Sequence, residues 1–79
     1  MEMIKITWVD SHGIISEWEH KEGIEPLEPC LITSVGYLLE DNEEYKTIVQ
    51  SESKKWLLGR MTIPKNCIKQ TTKLTATGE

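Results

Sequence analysis

From Met3 to Asp10 the chain alternates, with Ile4, Ile6 and Trp8 on one side and Lys5, Thr7 and Val9 on the other. A period of two predicts a β-strand. D-S-H-G, Asp10 to Gly13, is a turn signal, and Ile14 to Trp18 reads as a short strand. His20 to Pro29, broken by Gly23, Pro26 and Pro29, reads as a loop with room for one helical turn. Cys30 to Glu40 alternates again. Leu31, Thr33, Val35, Tyr37 and Leu39 line one side, Ile32, Ser34, Gly36 and Leu38 the other. Apolar residues on both faces predict a central strand. Gly36 in its middle calls for a bend, a bulge or a close backbone approach. D-N-E-E, Asp41 to Glu44, is a polar turn in which Asn42 suits a left-handed conformation, and Tyr45 to Ser53 returns as the second arm of a hairpin. Ser51 to Lys55 makes another turn. The second half of Lys55 to Ile63 is a strand that Pro64 ends. P-K-N-C, Pro64 to Cys67, fits one turn of tight helix. Ile68 to Leu74 forms a last strand, and T-A-T-G-E is a frayed end.

These elements amount to one all-β domain over residues 1–74, with about five short strands and a flexible tail at 75–79. A sheet this small has exposed edges, and closing it into a barrel removes most of them. The order of strand, loop, long bent hairpin, strand, tight turn and short closing strand looks like an SH3-like small barrel. Within that group it is similar to Sm-like proteins, in which a central glycine bends a long strand and the closing strand can pair with a neighbouring subunit.

Length adds a constraint. A chain of 79 residues buries only about 60% of its unfolded surface, so disulfides, metal or self-association must help it. Cys30 and Cys67 are the only cysteines, and with His12 and His20 they make no zinc spacing. Those two can form a disulfide only if their strands are neighbours. Nothing in M-E-M-I-K-I-T-W reads as a secretion signal, so reduced thiols in a host cytoplasm are expected. No run of about 18 apolar residues suits a membrane helix. Self-association is therefore the expected stabiliser, with no cofactor, no metal and no membrane partner.

Charge is unevenly spread. Residues 1–44 hold eleven Asp/Glu and two Lys, net −9, whereas residues 45–79 hold two Glu, six Lys and one Arg, net +5. The halves neutralise each other within the fold or between subunits, or the second half presents a basic binding face. The acidic knot E-D-N-E-E lacks the ligand pattern of a calcium loop and reads as a solvated turn.

Four stretches, W-V-D-S (Trp8 to Ser11), T-S-V-G-Y-L-L (Thr33 to Leu39), Y-K-T-I-V-Q-S (Tyr45 to Ser51) and I-P-K-N-C-I-K (Ile63 to Lys69), together with Trp18, give the chain a resemblance to a widespread family of small uncharacterised phage and prophage proteins. It runs from Ile4 to Leu74. The chain departs from that pattern in S-H-G-I-I-S-E after Asp10 and in the acidity of Glu19 to Pro29. The resemblance implies a phage accessory role and no particular reaction.

Candidate chemistry favours binding over catalysis. Ser11 and His12 are neighbours in a turn and cannot form a nucleophile–base pair. Cys67 beside Lys65 reads as a small residue under the tight turn, or as a thiol with a lowered pKa. No phosphate-binding glycine loop is present. Trp and Tyr supply flat faces for stacking. Trp8 and Tyr37 are expected in the core, and Trp18, between a turn and an acidic loop, is expected to be exposed. Asp10 and Ser11 either cap the loop as an Asx turn or accept from a sugar hydroxyl or base edge. Arg60, Lys65 and Lys69, with Lys46 as an alternative to Arg60, are candidate phosphate ligands.

The expectation is a non-enzymatic, phage-type homo-oligomer that acts by stoichiometric binding. Its concrete form is an anti-defence sponge for a cyclic nucleotide or NAD-derived immune signal, held between subunits by Asp10, Ser11, Trp18, Arg60, Lys65 and Lys69. The alternatives are an inhibitor of a host protein acting through its acidic face, an Sm-like RNA binder, or a structural part of the virion.

Overall fold

The alternating segments become five strands in the computed structural model, which describes residues 1–13 and 18–77. They are β1 (Met3–Asp10), β2 (Cys30–Asp41), β3 (Tyr45–Glu52), β4 (Leu57–Pro64) and β5 (Ile68–Leu74), with a single 3-10 turn at Lys65–Cys67. The strands form one antiparallel sheet in the order β4-β3-β2-β1-β5. The protein is thus nearly all-β, with β2 central and the tight turn where the P-K-N-C stretch predicts it. The short strand expected over Ile14 to Trp18 falls on residues 14–17, outside those described, and Trp18 itself belongs to no strand. The segment 18–29 forms no helical turn. It has only a bend and turn over residues 21–23, where Gly23 takes φ +80.

One face of the sheet builds most of the core; Val49, also fully buried, lies on the other, opposite Tyr37 and Arg60. Pairing puts Ile4 opposite Gly36 and Ile6 opposite Ser34, and Lys46 opposite Ile63 and Ile48 opposite Met61. Ile4, Ile6, Ile48 and Ile63 pack as a buried cluster, with Trp8, Leu38 and Ile68 against it. Burying each such side chain contributes about 1.5–3 kcal/mol. Trp8 is half-buried, and its indole Nε1–H donates to Ser34 Oγ at 3.0 Å, which satisfies the donor that an apolar face would otherwise strand. Tyr37 does not join this core. It pairs with Val49 and Met3 on the opposite face and stays partly exposed, because strand alternation sends it away from Leu38.

Gly36 is a site of close approach. A Cβ built there would lie 3.0 Å from the Val49 carbonyl oxygen and 3.1 Å from Ile48 Cβ. The missing side chain lets Ile48 sit directly on β2. Gly59 has a different reason: its φ of +79 is a left-handed conformation inside β4, and a Cβ would meet Gln50 Cβ at 2.9 Å. The polar turn after β2 also differs from expectation. Among the described residues no residue other than glycine has a positive φ. Asn42 holds the turn through its side chain instead, with Oδ1 accepting the N–H of Glu44 at 2.8 Å and of Tyr45 at 3.0 Å.

The sheet does not close on itself. β4 and β5 are its two edges, and no pairing joins them. The last β2–β3 pair is Tyr37 with Val49, so from Gln50 to Gly59 the β3–β4 ribbon runs on unpaired to β2, whose residues from Cys30 to Gly36 pair with β1 instead. The outcome is an elongated molecule of 55 × 32 × 25 Å with a radius of gyration of 16.8 Å, against about 12 Å for a compact chain of this length. Its accessible surface is 6944 Å², whereas a compact monomer of this mass exposes about 4,900 Å².

Gly36→Ala is expected to destabilise the fold by about 1–3 kcal/mol, since backbone and a buried isoleucine must both move. For a domain this small, thermal melting followed by circular dichroism should show a fall of roughly 4–8 °C per kcal/mol.

Candidate functional site

The face opposite the core carries a groove. In the β3–β4 hairpin, Thr47 pairs with Thr62 and Val49 with Arg60, so Tyr45, Thr47, Arg60 and Thr62 point to one side. A register shift in β2 between Leu38 and Glu40 sets Glu40 opposite Thr47. Without that bulge Leu39 would take the position. Bulges re-aim side chains in this way. The six residues Leu39, Glu40, Tyr45, Thr47, Arg60 and Thr62 line an open groove of about 490 Å³. Thr47 is buried, and its hydroxyl shares a hydrogen bond of 2.8 Å with that of Thr62. The lining therefore offers one guanidinium, one carboxylate, a phenol and two hydroxyls, a set able to recognise a polar ligand by charge and hydrogen bonding.

Only Arg60 of the six predicted ligand residues lines this groove. Asp10 closes β1 opposite Cys30, and its Oδ1 accepts the backbone N–H of Ser11 at 2.8 Å, a contact to the next residue and not the one two positions on that an Asx turn makes. Trp18 lies in the loop and is fully exposed. Lys69 is the extra residue where β5 bulges against β1, and it faces solvent. Lys65 sits in the 3-10 turn with Nζ 2.9 Å from Asp41 Oδ1, and Lys46 approaches Asp41 Oδ2 at 3.6 Å. Apart from the Asp10–Ser11 contact, no hydrogen bond or ion pair among the described residues joins any two of the six.

Asp41 is the point where β2, β3 and the 3-10 turn are tied together. The Lys65 N–H to Glu44 carbonyl hydrogen bond, 2.8 Å, reinforces the tie. The hydrogen bond from Lys65, aided by the charge of Lys46, holds the Asp41 carboxyl below its ordinary value. Cys30 and Cys67 are both free thiols, and Cys67 is partly covered in the turn. His12 is exposed, and its Nδ1 donates to the Glu28 carbonyl at 3.1 Å, joining the two ends of the long loop. Among the described residues, no group of three His, Cys, Asp or Glu side chains is arranged to hold a metal ion, and no helix is long and apolar enough to cross a membrane.

Period and spacing could have placed Tyr45, Thr47, Arg60 and Thr62 on one face, since they occupy alternate positions of one hairpin. Glu40 could not be found that way, because its place depends on the bulge. No protein-family model, curated protein or solved structure matches the chain.

A carboxyl whose pKa is lowered by folding stabilises the fold above its unfolded pKa, and that contribution is lost as pH falls through the folded value. Asp41→Asn is expected to lower the melting temperature by a constant amount between pH 5 and 8. The gap to wild type should narrow below about pH 4, where the carboxylate titrates. Melting curves of both proteins across that range check this. A gap that stays constant to pH 2 would deny Asp41 the role.

Proposed function

We propose that this protein is a non-enzymatic, phage-type accessory factor that captures a small anionic ligand, with a nucleotide as the best-fitting class. It acts stoichiometrically as a homo-oligomer, in the manner of an anti-defence sponge. The observation that carries this reading is the groove. Arg60 presents a planar fork suited to phosphate. Tyr45 offers a ring edge or face, and Glu40, Thr47 and Thr62 offer acceptors and donors for sugar hydroxyls or base edges. Asp41 close by is already neutralised by Lys46 and Lys65.

Two features favour sequestration over turnover. Among the described residues neither histidine meets a serine or cysteine side chain; His12 contacts the Glu28 carbonyl and His20 the Glu22 N–H. The groove is also open along the edge strand β4, which contributes Arg60 and Thr62. A second copy placed at that edge would wall it, enclosing a ligand that one small domain cannot enclose alone.

Melting of the purified protein with cyclic oligonucleotides, with NAD-derived nucleotides and with a short RNA tests the reading. A true ligand at 100 times its Kd adds roughly 2.7 kcal/mol, a rise on the order of 10–20 °C for a domain of this size. Arg60→Ala should weaken that ligand about ten- to a hundredfold, the scale of a lost charge-assisted hydrogen bond, with the protein's own melting temperature little changed. The reading fails if no nucleotide moves the melt, and it shifts to nucleic-acid binding if the RNA alone does so.

A further inference from the structure

Two surfaces of the molecule are incomplete, and they are opposites. The first is the free end of the β3–β4 ribbon. It is unpaired to β2 and exposes Trp56 by 78%, Leu58 by 66%, and Leu57 and Met61 by nearly half. Lys54, Lys55 and Arg60 stand among them, exposed, with Glu52 as the only acid. Two hydrogen bonds close the ribbon's turn. The Ser53 N–H donates to the Trp56 carbonyl at 2.8 Å, and the Trp56 N–H to Ser53 Oγ at 3.1 Å. Beside it lies a shallow concavity of about 320 Å³, lined by Ser51, Glu52, Ser53, Trp56, Leu57 and Leu58.

The second is the segment 18–29. Trp18 is 101% exposed and Ile24 61%, and Leu27 is also exposed. Glu19, Glu22, Glu25 and Glu28 alternate with them, against one Lys21. No strand pairing holds the segment, and no ion pair among the described residues involves it. Its described hydrogen bonds are the local one between Glu22 and His20 and the one from His12 at its base. Exposed apolar residues on this scale mark a docking surface.

We propose that the acidic segment 18–29 of one copy docks on the basic end of the β3–β4 ribbon of the next. Charge selects this occupant. Two ribbon ends packed against each other would oppose Lys54 and Lys55 with their own copies, and two acidic segments would oppose four glutamates with four. The cross pairing alone covers both apolar sets and matches both charges. The area agrees as well. The chain exposes about 2,000 Å² more than a compact monomer would, within the range that each partner of an extensive, stable interface buries. The arrangement is head-to-tail, so it pairs reciprocally in a dimer, closes into a ring or runs on as a filament. It deepens the oligomeric part of the function proposed above by naming the contact, and it does not depend on which ligand the groove takes.

Charge reversal tests it. One variant carries Glu22→Lys and Glu25→Lys; a second carries Lys54→Glu and Lys55→Glu. All four positions are exposed, so folding, checked by circular dichroism, should be retained. Wild type should sediment as an oligomer at micromolar concentration. Each variant alone should associate roughly tenfold more weakly or worse, and an equimolar mixture should regain the wild-type mass, because each acquires a complementary partner. A monomeric wild type, variants that keep the wild-type mass, or a mixture that stays dissociated would each overturn the proposal. A monomer would assign the segment to its own ribbon or to another protein. The ligand reading stands or falls separately, on the nucleotide melting experiment.

Discussion

The fold depends on Ile48 lying against bare backbone at Gly36. That contact brings β3 to within 3.0 Å of where a side chain on β2 would begin, and it lets Ile48 reach Ile4, Ile6 and Ile63 in one cluster. Four of the five buried apolar side chains lie on one face of this sheet, Val49 being the exception. Without such an approach its few isoleucines would line a plane and gain little from one another. Curling the sheet over Gly36 turns that plane into a small interior, which Trp8 and Ile68 finish at one end.

The interior is too small to use all the apolar residues the strands carry. From Ile63 the row on β4 continues to Met61 and Leu57, each nearly half exposed. The core thus runs out into solvent along the part of the ribbon that is unpaired to β2. The same geometry leaves β4 and β5 as free edges and raises the surface well above that of a compact domain. Size explains this: too few residues remain to cover the far half of the ribbon, and the segment 18–29, which carries the opposite charge, leaves it exposed. The groove that holds Arg60 lies on the same hairpin, so assembly and ligand capture would share one element.

The candidate site was less legible than the fold. Alternation alone places Tyr45, Thr47, Arg60 and Thr62 on one side of a hairpin. Choosing basic and aromatic residues by type instead gathers Trp18, Lys65 and Lys69, which the structure keeps apart. Lys65 shows why. A lysine read singly looks free, but its charge is taken by Asp41, twenty-four positions away, and only the pairing of β2, β3 and β4 brings the two within 2.9 Å. Asp10 and Ser11 are the contrary case, since a contact between neighbours in the chain needs no tertiary information.

What the amino-acid order determined by itself is local: the five strands, the tight turn at Lys65–Cys67 and the apolar character of both faces of β2. Each rests on a period of two, a proline, or apolar residues at successive positions, and none needs a distant partner. Tertiary structure alone decided that Tyr37 faces away from the core, that Glu40 replaces Leu39 beside Thr47, that Asp41 gathers two lysines, and that the sheet stays open between β4 and β5. Those outcomes follow from bulges and from curvature, which are set by how strands from distant parts of the chain pack.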